Sequence, residues 1–259
     1  MKKVTFNEYF SITEKNTEHL NILMDNDIEV FIDPYHIANQ PNNMIAKRMY
    51  VRSKNFLQTL NRKYIIPNDR TNGLKFLSHL REPNEYHLGY SDKNKGHGVG
   101  ELKSENIYDS LSANKFAKSG ISITNEAQNV LLLVEGIGQD LMSDTLANIC
   151  RDILAEFTFK QCIKYNIPVH KRLIEYYDHI MSNWETKEVL LPMYKGKHII
   201  LVPQFLSSGG RIYQSRYNWF VASNYISKDI MTGKIKLNQK GNFVSKLKNG
   251  TERPIIKNI

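Results

Sequence analysis

Glu135, Asp140 and Asp144 fall within ten residues of one another, and two glycines separate the first from the second. An apolar run over residues 130–134 delivers Glu135 into the turn made by Gly136 and Gly138. An amphipathic stretch then begins at Asp140. Asp140 and Asp144, four apart, share one face of a helix that starts there. Carboxylates of this kind hold Mg²⁺ through one or two oxygens together with substrate phosphate. A bound metal can then activate water and stabilise the leaving oxygen of a phosphodiester. Asp33, at the end of a short apolar strand, is a fourth candidate ligand, and Mg²⁺ or Mn²⁺ is the expected cofactor. Each residue also has a structural reading. Asp140 suits an N-cap, Asp144 meets the positive end of a helix dipole, and Asp33 before Pro34 caps a helix.

The charge balance supplies a reason for a polyanionic substrate. Thirty-five Lys and Arg against 26 Asp and Glu leave a net charge of +9. That excess favours nucleic acid as partner, DNA in the first instance. Lys93, Lys95 and His97 sit in the most glycine-rich stretch, residues 89–100, ahead of an expected helix from Glu101. Successive N–H groups at a helix start make an anion site. The stretch lacks the G-K-[ST] ending of a nucleotide-binding loop and does not follow a clear strand. Arg211 and Arg216 stand among Tyr213, Tyr217, Trp219 and Phe220, a composition suited to stacking on bases. From residue 228 onward, eight Lys and Arg face two Asp and Glu.

The elements that must position these groups follow from apolar spacing and breakers. Helices are expected over residues 13–24, 43–64, 72–80, 101–111, 141–165 and 170–184. Strands are expected over 29–32, 121–123, 130–134 and 199–202. This reads as an α/β fold with a mixed central sheet flanked by helices, and the 130–134 strand near its centre. Residues 1–226 form one α/β domain with a helical N-terminal portion, and 227–259 a basic arm. Cys150 and Cys162 fall on one expected helix, too far apart to bridge, and read as buried thiols. No apolar run approaches membrane-spanning length and no signal segment opens the chain, so a cytoplasmic protein without membrane contact is expected. Zinc spacings and the G-x-S-x-G elbow do not occur.

A helix and hairpin bearing acidic residues resembles the core of PD-(D/E)xK restriction-type nucleases. That resemblance implies a restriction-endonuclease-like core in which Glu135 is the strand-end carboxylate and Glu101 or Glu105 the helical one. Glu135-Gly136-Ile137 lacks the family's lysine, so Lys195 or Lys197, ahead of the later strand, would have to be brought close by the fold to substitute. The phrases F-I-D-P, G-H-G-V-G and V-E-G-I-G-Q-D-L-M-S-D also resemble uncharacterised bacterial proteins associated with phage defence. G-H-G-V-G and E-G-I-G-Q-D are similar to the hairpin of helix-hairpin-helix modules, without the preceding helix or the small residue that follows. The expected function is a metal-dependent nuclease of restriction or antiphage defence, with Glu135, Asp140, Asp144 and Lys197 as catalytic groups. Two alternatives stand beside it: a non-catalytic nucleic-acid-binding subunit of a defence complex, and a protein-interaction adaptor. A homodimer or a defence-complex partner is the expected assembly.

Overall fold

The computed structural model describes residues 3–89, 100–120, 122–209, 236–237, 243–246 and 252–254. Lys93, Lys95, His97, Arg211 and Arg216 lie outside these residues, as does most of the basic arm.

Short polar side chains start several of the helices. After α1 (Phe6–Tyr9), β1 (Val30–Ile32) ends at Asp33, whose Oδ1 accepts from Tyr35 N and caps α2 (Pro34–Ala38). The Asn43 side-chain Oδ1 accepts from Ile45 N and Ala46 N and starts α3 (Met44–Leu60). This helix runs into a π-helical turn, Asn61–Ile65. Asp69 caps α4 (Arg70–Leu77). α5 (Gly100–Ala113) follows, and Asn114 caps α6 (Lys115–Lys118). The Asn114 amide also donates to Leu133 O at 2.7 Å, which ties α6 to the end of α7 (Ala127–Leu133). α8 (Gln139–Ile149) and α9 (Arg151–Lys164) complete the helical core. β2 (His170–Asp178) and β3 (Asn183–Leu191) form a hairpin against it.

The remaining strands are short: β4 (Met193–Tyr194), β5 (Lys197–His198), β6 (Ser207–Gly209), β7 (Lys236–Leu237), β8 (Phe243–Lys246) and β9 (Glu252–Pro254). β6 pairs antiparallel with β1, β4 with β5, and β7–β8–β9 form a three-stranded sheet. The chain thus combines helices with small antiparallel sheets. The main core gathers Phe56, Leu60, Leu132, Leu146, Leu154, Tyr177 and Trp184 among others. A second cluster joins Phe6, Ile22, Met24, Phe157, Cys162, Ile199 and Leu201. Phe56, Phe76, Tyr177 and Trp184 pack with ring centroids 5.1–6.4 Å apart. Each such pair adds about 0.5–1.5 kcal/mol beyond the area it buries.

Several expectations are corrected. Residues 130–134 are not a central strand. They belong to α7 and its C-cap Val134, and all five are buried. A continuous apolar run fits a helix enclosed on every side as well as a buried strand. Ser122–Asn125 form a 3-10 turn where a strand over 121–123 was expected; Ile121 is outside the described residues. The expected helix over 170–184 is the β2–β3 hairpin. Leu173 and Ile180, which share a helical spacing with Tyr177 and Trp184, are 65% and 81% exposed, and the Asp178 carboxylate accepts from Ile180 N and Met181 N to make the turn. Residues 199–202 are buried and extended but join no sheet. Ile199 N donates to Pro192 O, Ile200 N to Glu85 O and Leu201 N to Thr158 Oγ1, while Val202 O accepts from Leu20 N. Accordingly, no mixed central sheet occurs among the described residues. Residues 13–24 are not helical, because Ile22 and Met24 alternate inward with period two. The long helix over 141–165 is broken at Cys150 into α8 and α9. Both cysteines are buried and free, as expected. No helix among the described residues is long and apolar enough to cross a membrane.

Candidate functional site

Asp140 and Asp144 lie in α8, and the backbone around them is tightly specified. Ser143 Oγ accepts from Ile32 N at 2.9 Å, fixing α8 against β1. Asn148, one turn beyond Asp144, is wholly buried. Its Nδ2 donates to Asp144 O and to Arg81 O, and its Oδ1 accepts from Arg81 N. This clamp holds residue 81 on α8 and so places the neighbouring Glu82 beside Asp144. From α5, Lys103 reaches in and forms ion pairs with both Asp144 and Glu82. Asp27 arrives on a third segment. Ile28 N donates to His87 O at 2.9 Å and Gly89 N to Ile28 O at 3.0 Å. A Cβ placed on Gly89 would lie 3.7 Å from Asp140 Oδ1, so this backbone runs against the carboxylate. Glu82, Asp140 and Asp144 therefore gather around Lys103, and Asp27 stands close enough to Glu82 and Asp140 to feel their charge.

Burial sets the protonation of this group. Enclosure pushes the Asp144 carboxyl from 3.8 to about 7, with the Lys103 charge opposing and Asp140 and Glu82 adding repulsion. Burial likewise raises Asp140, against the pull of Lys103. Asp27 rises to about 6, first from burial and then from the negative charges of Glu82 and Asp140; Lys197 opposes. Burial alone would lower Lys103, but Asp144 and Glu82 hold it above the ordinary lysine value. Near neutral pH the cluster contains a permanent cation and a carboxyl able both to take and to give a proton.

The other expected site residues take different places. Asp33 is buried and caps α2. Glu135 is exposed in the turn after α7 and has no part in the ion pairs around Lys103. Its neighbour Gly136 has φ +91°, and a Cβ there would lie 2.5 Å from Ser110 Oγ. That glycine is required by the turn and by close packing on α5. The four carboxylates Asp33, Glu135, Asp140 and Asp144 consequently do not form one ligand set. Among the described residues no group of three or more His, Cys, Asp or Glu is placed to hold a metal ion. Asp140 and Asp144 stand one helical turn apart on α8, and Asp144 is paired with Lys103. Lys197 is brought near: its charge acts on Asp27 and His87, and it lines a cleft of about 850 Å³ that Glu82 also lines.

Lys103, Glu82 and Asp27 were not singled out by spacing. They stand some 40 to 120 residues from Asp144 in the chain, and no local pattern marks them. The Glu82-Pro83 helix stop and the expected helix from Glu101 mark only the elements that carry two of them.

No curated protein and no solved structure matches the chain. A family model described as "Domain of unknown function (DUF8370)" matches residues 11–211, a span that contains every member of the cluster and the lining of the cleft. By that match over most of its length, the chain belongs to the DUF8370 family.

Proposed function

We propose that the protein is a Mg²⁺- or Mn²⁺-dependent phosphodiesterase acting on nucleic acid, with Asp140, Asp144 and Lys103 as its working groups. The observation that carries this reading is the Lys103 ammonium held between Asp144 and Glu82, with Asp140 alongside. A carboxylate–lysine combination is what the resemblance to PD-(D/E)xK enzymes asks for. Here the lysine comes from α5, and the likeness is one of residue types, with a restriction-endonuclease-like core as part of the proposal. The metal would supply charge neutralisation at the scissile phosphate and an activated water. Lys103 would stabilise charge developing on the phosphoryl oxygens. Asp144, with its proton affinity near neutrality, would accept a proton from the attacking water or return one to the leaving oxygen. Asp140 would orient the incoming cation. Restriction or antiphage defence is the proposed setting, following the resemblance of the three sequence phrases.

A second reading, a nucleic-acid-binding subunit without catalysis, is favoured by one observation: Asp33 and Glu135 do not join Asp140 and Asp144 around a common centre. One experiment separates the two. Plasmid DNA and a single-stranded RNA are incubated with the full chain in Mg²⁺, in Mn²⁺ and in EDTA. The same reactions are run with Lys103→Met, Asp140→Asn and Asp144→Asn, each checked for folding by circular dichroism. Metal-dependent cleavage, lost by roughly 100-fold in each variant, is the expected result. Salt-sensitive binding without cleavage supports the second reading, and cleavage that survives all three substitutions removes the site assignment.

A further inference from the structure

Beside the carboxylate cluster, the cleft of about 850 Å³ is walled by the chain after α4, by β2 and β3, and by the β5 segment. Three carboxylates line it, and each is already engaged. Glu82 pairs with Lys103, Glu85 Oε1 lies 2.9 Å from Arg151 Nε, and Glu175 Oε1 lies 2.8 Å from His79 Nδ1. Arg151 is further held by Asn148 Oδ1 at 2.7 Å. The remaining cations of the lining, Arg81, Arg172 and Lys197, are exposed and form no ion pair or side-chain hydrogen bond among the described residues. His198 lines the same space, and its Nε2 is buried without a hydrogen-bond partner. Leu173, Ile174, Leu191 and Ile200 give the cleft an apolar component.

We propose that this cleft is a binding site for a phosphate monoester carried on a nucleoside, either a free nucleotide or the phosphorylated end of a strand. Three uncommitted cations on one cleft, where each lining carboxylate already contacts Lys103, Arg151 or His79, favour a group of charge near −2 over a single diester. Arginine presents paired N–H donors to phosphate oxygens, and lysine a point charge. A volume within the range of small-molecule pockets accommodates a sugar and base against the apolar side chains. The arrangement is built by the fold: Asn148 fixes the backbone of Arg81, and the Glu85 carbonyl accepts from Ile200 N at 2.8 Å, holding the chain that follows Lys197 and His198 on the opposite wall. The ligand's identity rests on the nucleic-acid reading above, but the site does not depend on hydrolysis.

The test is binding of fluorescein-labelled twelve-nucleotide DNA, with a 5′-phosphate or a 5′-hydroxyl, to the full chain in EDTA, read by anisotropy. AMP competes in a third arm, and inorganic phosphate in a fourth. Tighter binding of the 5′-phosphorylated strand by about tenfold is expected, as one charge-assisted interaction gives. Arg172→Ala and Lys197→Ala should abolish that preference. Lys171→Ala, an equal charge loss at the neighbouring exposed lysine that pairs with Glu188, should keep it. Displacement by AMP assigns the site to a nucleotide, and displacement only by strands assigns it to a strand end. Equal affinity for the two strands, or equal effects of Lys171→Ala and Arg172→Ala, overturns the proposal. Because EDTA is present throughout, failure here leaves the cleavage assay untouched, and absence of cleavage leaves this result standing.

Discussion

Replacing Asp144 with Asn should flatten the response of stability to pH. Burial raises this carboxyl from 3.8 to about 7. Between those values the folded protein retains a proton that the unfolded chain has released. Where the native state binds more protons, stability falls as pH rises. The contribution is therefore whole below about pH 4, declines through the interval, and is gone above about pH 7. A gap of about three pH units at 1.36 kcal/mol per unit corresponds to about 4 kcal/mol. The Asp144 side chain is only 12% exposed, so solvent screening reduces this little; about 2–4 kcal/mol is the working range. Asp27 and Asp140 are raised too and decline over an overlapping interval, so the variant keeps part of the slope. Urea unfolding of wild type and Asp144→Asn at pH 4.5, 5.5, 6.5 and 8 reads the difference directly. The variant should gain relative stability from pH 4.5 to about pH 7 and hold that gain at pH 8. A difference constant within about 0.5 kcal/mol across that range, the ordinary error of such comparisons, would refute the reasoning, as would a gain in the opposite direction.

Two further substitutions test the packing that supports the site. Arg52 on α3 and Asp152 on α9 form an ion pair with both side chains less than a tenth exposed. Arg52→Met should lower stability by about 3–5 kcal/mol by stranding the carboxylate, and adding Asp152→Leu should restore most of it; thermal unfolding of the single and double variants measures both. Gly73 lies in α4 under the Tyr108 ring of α5, where a Cβ would stand 2.4 Å from the ring edge. Gly73→Ala should cost about 1–3 kcal/mol through overpacking, and Tyr108→Leu in the same chain should relieve it, as read from urea midpoints.

Helices whose start signals are local were legible in the chain itself. Apolar residues recurring through 43–64, and Asp33 before Pro34, are signals that act over a few residues. α3, α4, α5 and the cap at Asp33 lie close to where those signals place them. The pairing of Asp140 with Asp144 was also readable, since a spacing of four sets one helix face. Failures came where pattern is ambiguous. The run at residues 130–134 is helical because neighbours enclose it on every side, and enclosure is not written in periodicity. Leu173, Tyr177, Ile180 and Trp184 keep helical spacing, yet the Asp178 turn folds them into a hairpin with Leu173 and Ile180 on the outside.

Composition and spacing by themselves determined a basic chain, the aspartate pair of α8, a glycine turn before it and two buried thiols. Only the tertiary structure decided which groups act together. It set Lys103 between Asp144 and Glu82, left Glu135 outside, and gathered Arg81, Arg172 and Lys197 on one cleft. The physical reason is range. A cap or a helix face is fixed by neighbours a few residues away. An ion pair or a raised carboxyl depends on distance and burial in space, and those are set by segments as far apart in the chain as Asp27, Lys103 and Lys197.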